Sequence, residues 1–195
     1  RALKGADGVG PAQGVYTYAV TGTERISRTG LKVDRTLPAQ APALVYGVEG
    51  GYEMKTIFSK EHVETNRYAT RDGGLHLTFA KTVIQVGPLS VTRDRTWTPT
   101  LLRLPTSGRP GATTRGDFTA GDLKLAVTTT VLPPEAVSVG GEQIEATVVK
   151  FDQVVTGEYT GSRTETFWWG EDGVLLRYSI DSSLRGPTNL DFVAE

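Results

Sequence analysis

The chain has 195 residues, 38% of them hydrophobic and 22% charged, with 23 Gly, 10 Pro and no Cys. Its 21 basic and 22 acidic side chains leave a formal net charge of -1, which gives no electrostatic reason to expect nucleic acid or an anionic membrane surface as partner. Without cysteine there is no disulfide framework, thiolate metal cluster or cysteine nucleophile. The longest apolar runs, such as that around Val148–Val149, fall far short of the ~18 residues of a membrane-spanning helix.

Arg1–Gly14 is rich in Gly and Ala and unpatterned, so it reads as a flexible leader before a single β domain over 15–195. Strand signals then dominate. Val15–Val20 places Tyr16, Tyr18 and Val20 on one face, as a half-buried strand requires. The nearest approach to a helix, Pro38–Val45, contains two prolines and is expected to be a loop or short turn. Tyr52–Phe58 reads as another strand. Arg67–Arg71 and Leu75–Phe79 flank Asp72-Gly73-Gly74, a strong hairpin signal because Gly supplies the positive φ of a tight turn. Alternation puts Leu75, Leu77, Phe79 and Val83 on one face.

Arg93-Asp-Arg-Thr-Trp97 alternates charges and ends on an aromatic, the composition of a solvated edge strand. Leu104–Gly116 carries two Pro and three Gly without periodicity and is expected to be a long connection. Leu123–Leu132 and Gln143–Val155 follow, separated by a break at Pro133-Pro134 and a turn at Gly140-Gly141. Glu158–Trp169 then turns through Glu171-Asp172-Gly173 into Val174–Ile180, a second hairpin with Asp-Gly chemistry. Shifting the chain by about 100 positions superposes Tyr68, Asp72, Gly73 and Leu75 on Trp168, Asp172, Gly173 and Leu175. This invites a division into related halves, about 15–104 and 117–185, although Asp-Gly hairpins also arise independently in all-β proteins.

Searches for chemistry return little. The chain has no Gly-x-Ser-x-Gly elbow, phosphate-binding Gly-x-x-x-x-Gly-Lys loop, His-Glu-x-x-His or calcium loop. His62, with Glu64 on the same strand face, and His76 on a neighbouring strand make a zinc site conceivable, but no third ligand is evident. Asp117, Asp122, Glu165, Glu171 and Asp172 could serve as general acid and base in a glycan hydrolase, yet most lie where turns and loop ends favour acids. No catalytic residue, metal ligand or cofactor is therefore assigned.

Aromatic residues are the remaining constellation. A curved sheet lined by Tyr16, Tyr18, Phe79, Phe151, Phe167 and Tyr178 would enclose a lipid or other apolar ligand, or the same rings would simply fill a core. Phe167-Trp-Trp169 places successive rings on opposite faces, so Trp168 and Trp169, with Trp97, are candidate surface aromatics for meeting a glycan or a protein.

Gly14-Val-Tyr-Thr-Tyr-Ala-Val-Thr-Gly-Thr-Glu24, Leu37-Pro-Ala-Gln40 and Phe167-Trp-Trp-Gly-Glu-Asp-Gly-Val-Leu-Leu-Arg177 resemble a group of uncharacterised extracytoplasmic proteins from actinobacteria. That resemblance implies a secreted or membrane-anchored protein, with Arg1–Gly14 as the tether. Many members carry cysteines in the middle strands, a feature absent here. More distantly, a long sheet of hairpins is similar to the half-barrel of bacterial lipoprotein carriers, which hold acyl chains in an apolar hollow. The sequence thus leads to an all-β fold, long antiparallel hairpins forming a curved sheet or open half-barrel with few or no helices. The expected function is a non-catalytic cell-envelope binding protein for a lipid or apolar small molecule. A surface module for a cell-wall component or protein, and a glycan hydrolase, are the second and third readings.

Overall fold

The computed structural model describes residues 10–28, 31–185 and 191–194, and among them there is no helix. The strands are β1 (Gly14–Ala19), β2 (Thr23–Arg28), β3 (Leu31–Thr36), β4 (Gln40–Val48), β5 (Gly51–Ser59), β6 (His62–Arg71) and β7 (Gly74–Val86), followed by β8 (Leu89–Pro105), β9 (Thr113–Ala120), β10 (Leu123–Val139), β11 (Glu142–Gly157), β12 (Thr160–Trp169), β13 (Leu175–Arg185) and β14 (Asp191–Ala194). They form one antiparallel sheet in the order β1-β4-β5-β6-β7-β8-β9-β10-β11-β12-β13-β14-β2-β3. The sheet curls further than a half-barrel and nearly closes, with its end strands β1 and β3 unpaired to each other.

The first four strands are the arms of one bent hairpin. Pairing from Gly14↔Val45 to Ala19↔Gln40 resumes in the same register from Thr23↔Thr36 to Arg28↔Leu31. At the bend, the Val20 amide donates to the Ala39 carbonyl at 2.9 Å and the Leu37 amide to the Gly22 carbonyl at 3.0 Å. The base joins the sheet through β4–β5 and the tip through β2–β14, so this hairpin ties both ends of the sheet together. Apart from β2 and β3, the order consists of two runs of six strands, β1-β4-β5-β6-β7-β8 and β9 to β14. The two Asp-Gly hairpins, β6–β7 and β12–β13, occupy matching places in these runs.

Their turns differ. Arg71↔Gly74 leaves Asp72-Gly73 as a two-residue turn with Gly73 at φ 86°, as the sequence leads one to expect. The second pairs Trp169 with Leu175 and spans the longer connection Gly170–Val174, closed by the Gly170 amide on the Val174 carbonyl at 2.8 Å.

Several local expectations are corrected. Pro38–Val45 is not a loop: most of it is β4, where Ala41, Ala43 and Val45 are buried in alternation. The ladder to β5 begins only at Ala43, so Pro42 lies outside it and its missing N–H breaks no bond there. Pro133-Pro134 does not end a strand either, because a register shift between Leu132 and Glu135 absorbs both residues within β10. The expected Leu104–Gly116 connection shrinks to the residues between Pro105 and Thr113.

Inward side chains from both six-strand runs fill one core. Tyr52 and Tyr68 stack at 5.0 Å, Trp169 meets Tyr68 edge-on at 5.8 Å, and Phe167 stacks on Trp169 at 5.5 Å. Tyr18 and Tyr52 donate across the interior to the Leu175 and Gly173 carbonyls at 2.7 and 3.0 Å. A smaller apolar cluster of Ala146, Val148 and Trp168 lies apart from this core.

Candidate functional site

The wall of the barrel is uneven. Whereas β10 and β11 pair from Leu123↔Gly157 to Val139↔Glu142, β8 and β9 share the single pair Thr98↔Thr119. Pro99 follows and has no N–H to extend that ladder, and beyond it β8 pairs with β7 through Leu101↔Leu77. A cleft of about 140 Å³ opens where β9 leaves β8, with Leu101, Leu102, Gly116, Phe118, Val127 and Phe151 among its lining residues. At Gly116 a Cβ would stand 3.0 Å from the Phe118 ring, so glycine lets that ring fold against the backbone. This volume is close to the ~150 Å³ of an apolar cavity that accepts benzene.

Arg115 lines the cleft itself, and a buried polar cluster adjoins Phe151, another of its lining residues. Alternation along β8 makes Arg103 the next inward residue after Leu101, and it is only 7% exposed. Its guanidinium rests 4.9 Å from the rings of both Phe151 and Phe167, and its Nη1 donates to Glu165 Oε2 at 2.8 Å. Gln153 Nε2 and, at 2.9 Å, the Tyr178 hydroxyl also donate to Glu165, while Arg163 Nη1 stands 3.9 Å from it. Burial alone would raise the Glu165 carboxyl, but the Arg103 and Arg163 guanidiniums and the hydrogen bonds from Arg103 and Tyr178 hold it down at about 2. Arg103 Nε has no hydrogen-bond partner among the described residues; nor do the indole N–H groups of Trp97 and Trp169.

Two further clusters join distant strands. Arg93 and Arg95 of β8 both bind Glu158, at 2.7 and 3.0 Å, and Arg95 covers the Tyr159 ring at 5.6 Å. Like the Arg103–Glu165–Arg163 group, this cluster sets two guanidiniums against one carboxylate. In the third, His62 lies between two acids, its Nδ1 2.7 Å from Glu24 and its Nε2 3.3 Å from Glu64, while Arg35 binds Glu24 at 2.9 Å. Desolvation would lower the His62 pKa, but hydrogen bonds to Glu24 and Glu64 outweigh it and raise the value to about 9. The imidazolium thus donates from both nitrogens.

Of the six aromatics expected to line a hollow, Phe151 and Phe167 are buried in the core and Tyr16, Tyr18 and Tyr178 pack against it. Only Phe151 reaches the cleft. Phe79 lies outside this cluster, its ring 5.6 Å from the half-exposed Arg67 guanidinium, because a register shift between Arg67 and Tyr68 reverses the alternation after Leu77. Trp97, Trp168 and Trp169, expected at the surface, are all buried. Opposite faces did not mean exposure: Trp169 enters the core, whereas Trp168 packs in the smaller cluster, donates to Glu135 at 2.8 Å and lies beneath Arg177.

Over Arg93–Thr96 β8 is laddered only to β7 among the described residues, as an edge segment is, but it is not simply solvated, because Arg93 and Arg95 bind Glu158 and Trp97 is buried. His62 and His76 do not converge: they stand seven ladder positions apart along β6 and β7, about 23 Å at ~3.3 Å per residue. His76 Nε2 instead meets the Asp72 carbonyl at 3.2 Å. Among the five carboxylates considered for acid–base work, Asp117, Asp122, Glu171 and Asp172 are exposed, and Glu165 is a strand residue held ionised by arginine.

The sequence reading missed the buried arginine–glutamate clusters. Their local trace is Arg93 and Arg95, two apart and therefore on one face, which signals a need for a facing acid. The comparisons returned no matching family model, curated protein or solved structure.

Proposed function

We propose that this is a non-catalytic binding protein that receives the apolar end of a lipid, or an apolar molecule of similar girth, at the β8–β9 joint. The cleft supports this reading most strongly, because an apolar pocket lies where a single ladder pair holds the wall together. Aromatic side chains fill much of the described core, which favours the joint over the sheet as a whole as the binding element. A cleft of about 140 Å³ takes one ring or a short tail and excludes a pair of acyl chains. A cell-envelope location is the companion proposal, supported by the resemblance of Gly14–Glu24 and Phe167–Arg177 to extracytoplasmic proteins.

Titration with 1-pentanol, followed by NMR, tests the binding reading. Saturable binding is expected, and Leu101→Trp, which fills the cleft, should weaken it at least tenfold. Absence of saturation, or full affinity in a folded Leu101→Trp variant, would overturn the reading.

A further inference from the structure

We infer that the ligand is an amphiphile with a carboxylate head, and that Arg103 receives this head at the inner end of the cleft. This rests on the reading of the β8–β9 joint as the binding site and adds the chemical class of what enters it. The first observation is positional. Leu101 and Phe151 both line the cleft, Arg103 is the next inward residue along β8, and its guanidinium lies against the Phe151 ring at 4.9 Å. A short apolar chain seated in the cleft would thus bring its inner end beside that ring and its cation.

The second observation is the unused donor. Arg103 is 7% exposed, and while Nη1 is bound to Glu165, its Nε–H has no partner among the described residues. Buried polar groups are seldom left unpaired, and of the three unpaired N–H groups among the described residues, those of Trp97, Arg103 and Trp169, only that of Arg103 carries a charge that an anionic acceptor would also satisfy. The third is charge. Arg103 at 2.8 Å and Arg163 at 3.9 Å set two guanidiniums against Glu165, and Glu64, the other carboxylate acting on Tyr68 and Tyr178, is shared with His62, so a monoanion entering beside Arg103 meets an excess of positive charge. Within the buried group Tyr178 already gives its hydroxyl to Glu165, which leaves the Arg103 guanidinium as that group's donor to a newcomer, while Thr114, Arg115 and Thr129 are donors on the cleft lining itself.

Size and charge together select the ligand. The cleft has room for about five carbons beside a head group, judged against the benzene-sized cavity. A planar carboxylate matches the Nε–Nη2 edge of the guanidinium, since Nη1 is the nitrogen given to Glu165.

Calorimetric titration with pentanoate and with 1-pentanol at pH 7 separates head from tail. The wild-type protein is expected to bind pentanoate at least tenfold more tightly than 1-pentanol. Arg103→Met should lose that preference while still binding 1-pentanol, and Arg103→Lys should lose at least threefold of it, since an ammonium lacks the planar fork. The NMR signal of the Arg103 Nε–H provides a readout that needs no variant, and it is expected to shift on adding pentanoate but not 1-pentanol. Equal affinities for the two probes, an unmoved Nε–H signal, or an undiminished preference in a folded Arg103→Met protein would overturn the carboxylate assignment while leaving the apolar site standing. Failure of both probes to bind would instead remove the apolar site itself.

Discussion

At Arg103 and Glu165 the chain holds opposite charges in its core, with side chains only 8% and 5% exposed. Removing one partner takes from the other, inside the core, its nearest opposite charge, which costs about 3–5 kcal/mol, whereas removing both avoids that penalty. Glu165→Gln and Arg103→Met should therefore each lower the urea-unfolding free energy by that amount, and the double variant by clearly less than their sum. Additive losses would contradict the pairing described above. The same carboxyl predicts acid sensitivity: its folded pKa of about 2 is depressed, so its stabilisation is present above the usual carboxylate range near 4.5 and is lost as pH falls towards 2.

His62 has the opposite sign. Its folded pKa of about 9 is raised, so its contribution is complete below 6.5 and disappears as pH climbs through 9. Thermal midpoints should fall between pH 7 and 9.5 in the wild-type protein and stay flatter in His62→Gln. Equal slopes would exclude the Glu24–His62–Glu64 bridge as their source. Burial raises the Tyr52, Tyr68 and Tyr178 phenols, which keeps their titration above this window.

Among the neighbouring strands, β8 and β9 share the shortest ladder of the described residues. With the single pair Thr98↔Thr119, the β9 amides that face β8 have no ladder acceptor across the joint. Hydrogen exchange should show these amides between Thr113 and Phe118 exchanging at least tenfold faster than the paired amides of β11 between Val148 and Val155. Comparable protection would mean that the joint is sealed in solution. Elements were legible in the sequence wherever turn chemistry and alternation agreed, as at Arg67–Phe79, where Asp72-Gly73 fixes the hairpin. They were not legible at Pro42 and Pro133-Pro134, because a proline is compatible with a strand whose ladder starts late or bulges, and neither circumstance leaves a local mark. Phe79 shows the same limit for side chains: Leu75, Leu77 and Phe79 alternate without a flaw, yet a bulge at Thr78, between the last two, turns Phe79 out of the core cluster.

For the molecule as a whole, the sequence pointed to strands, hairpins and a curved sheet, but it did not separate a lined hollow from a filled core. The same inward aromatics serve both, and only their meeting across the interior decides. Tyr52, Tyr68, Phe167 and Trp169 come from different six-strand runs and pack on one another, closing space that a half-barrel would leave open. The buried charges were hidden for a related reason. Arg103 and Glu165 lie 62 positions apart, and Arg95 and Glu158 63 apart, so no local pattern couples them. The β8–β9 joint carries a small cleft lined in part by Phe151, whose ring lies against the Arg103 guanidinium, in a chain whose overall charge is nearly neutral. Chemical-shift mapping with 1-pentanol on the labelled protein tests that account most directly. It predicts saturable shifts concentrated at Leu101, Leu102, Phe118, Val127 and Phe151, and shifts that are absent or that gather on other strands would contradict it.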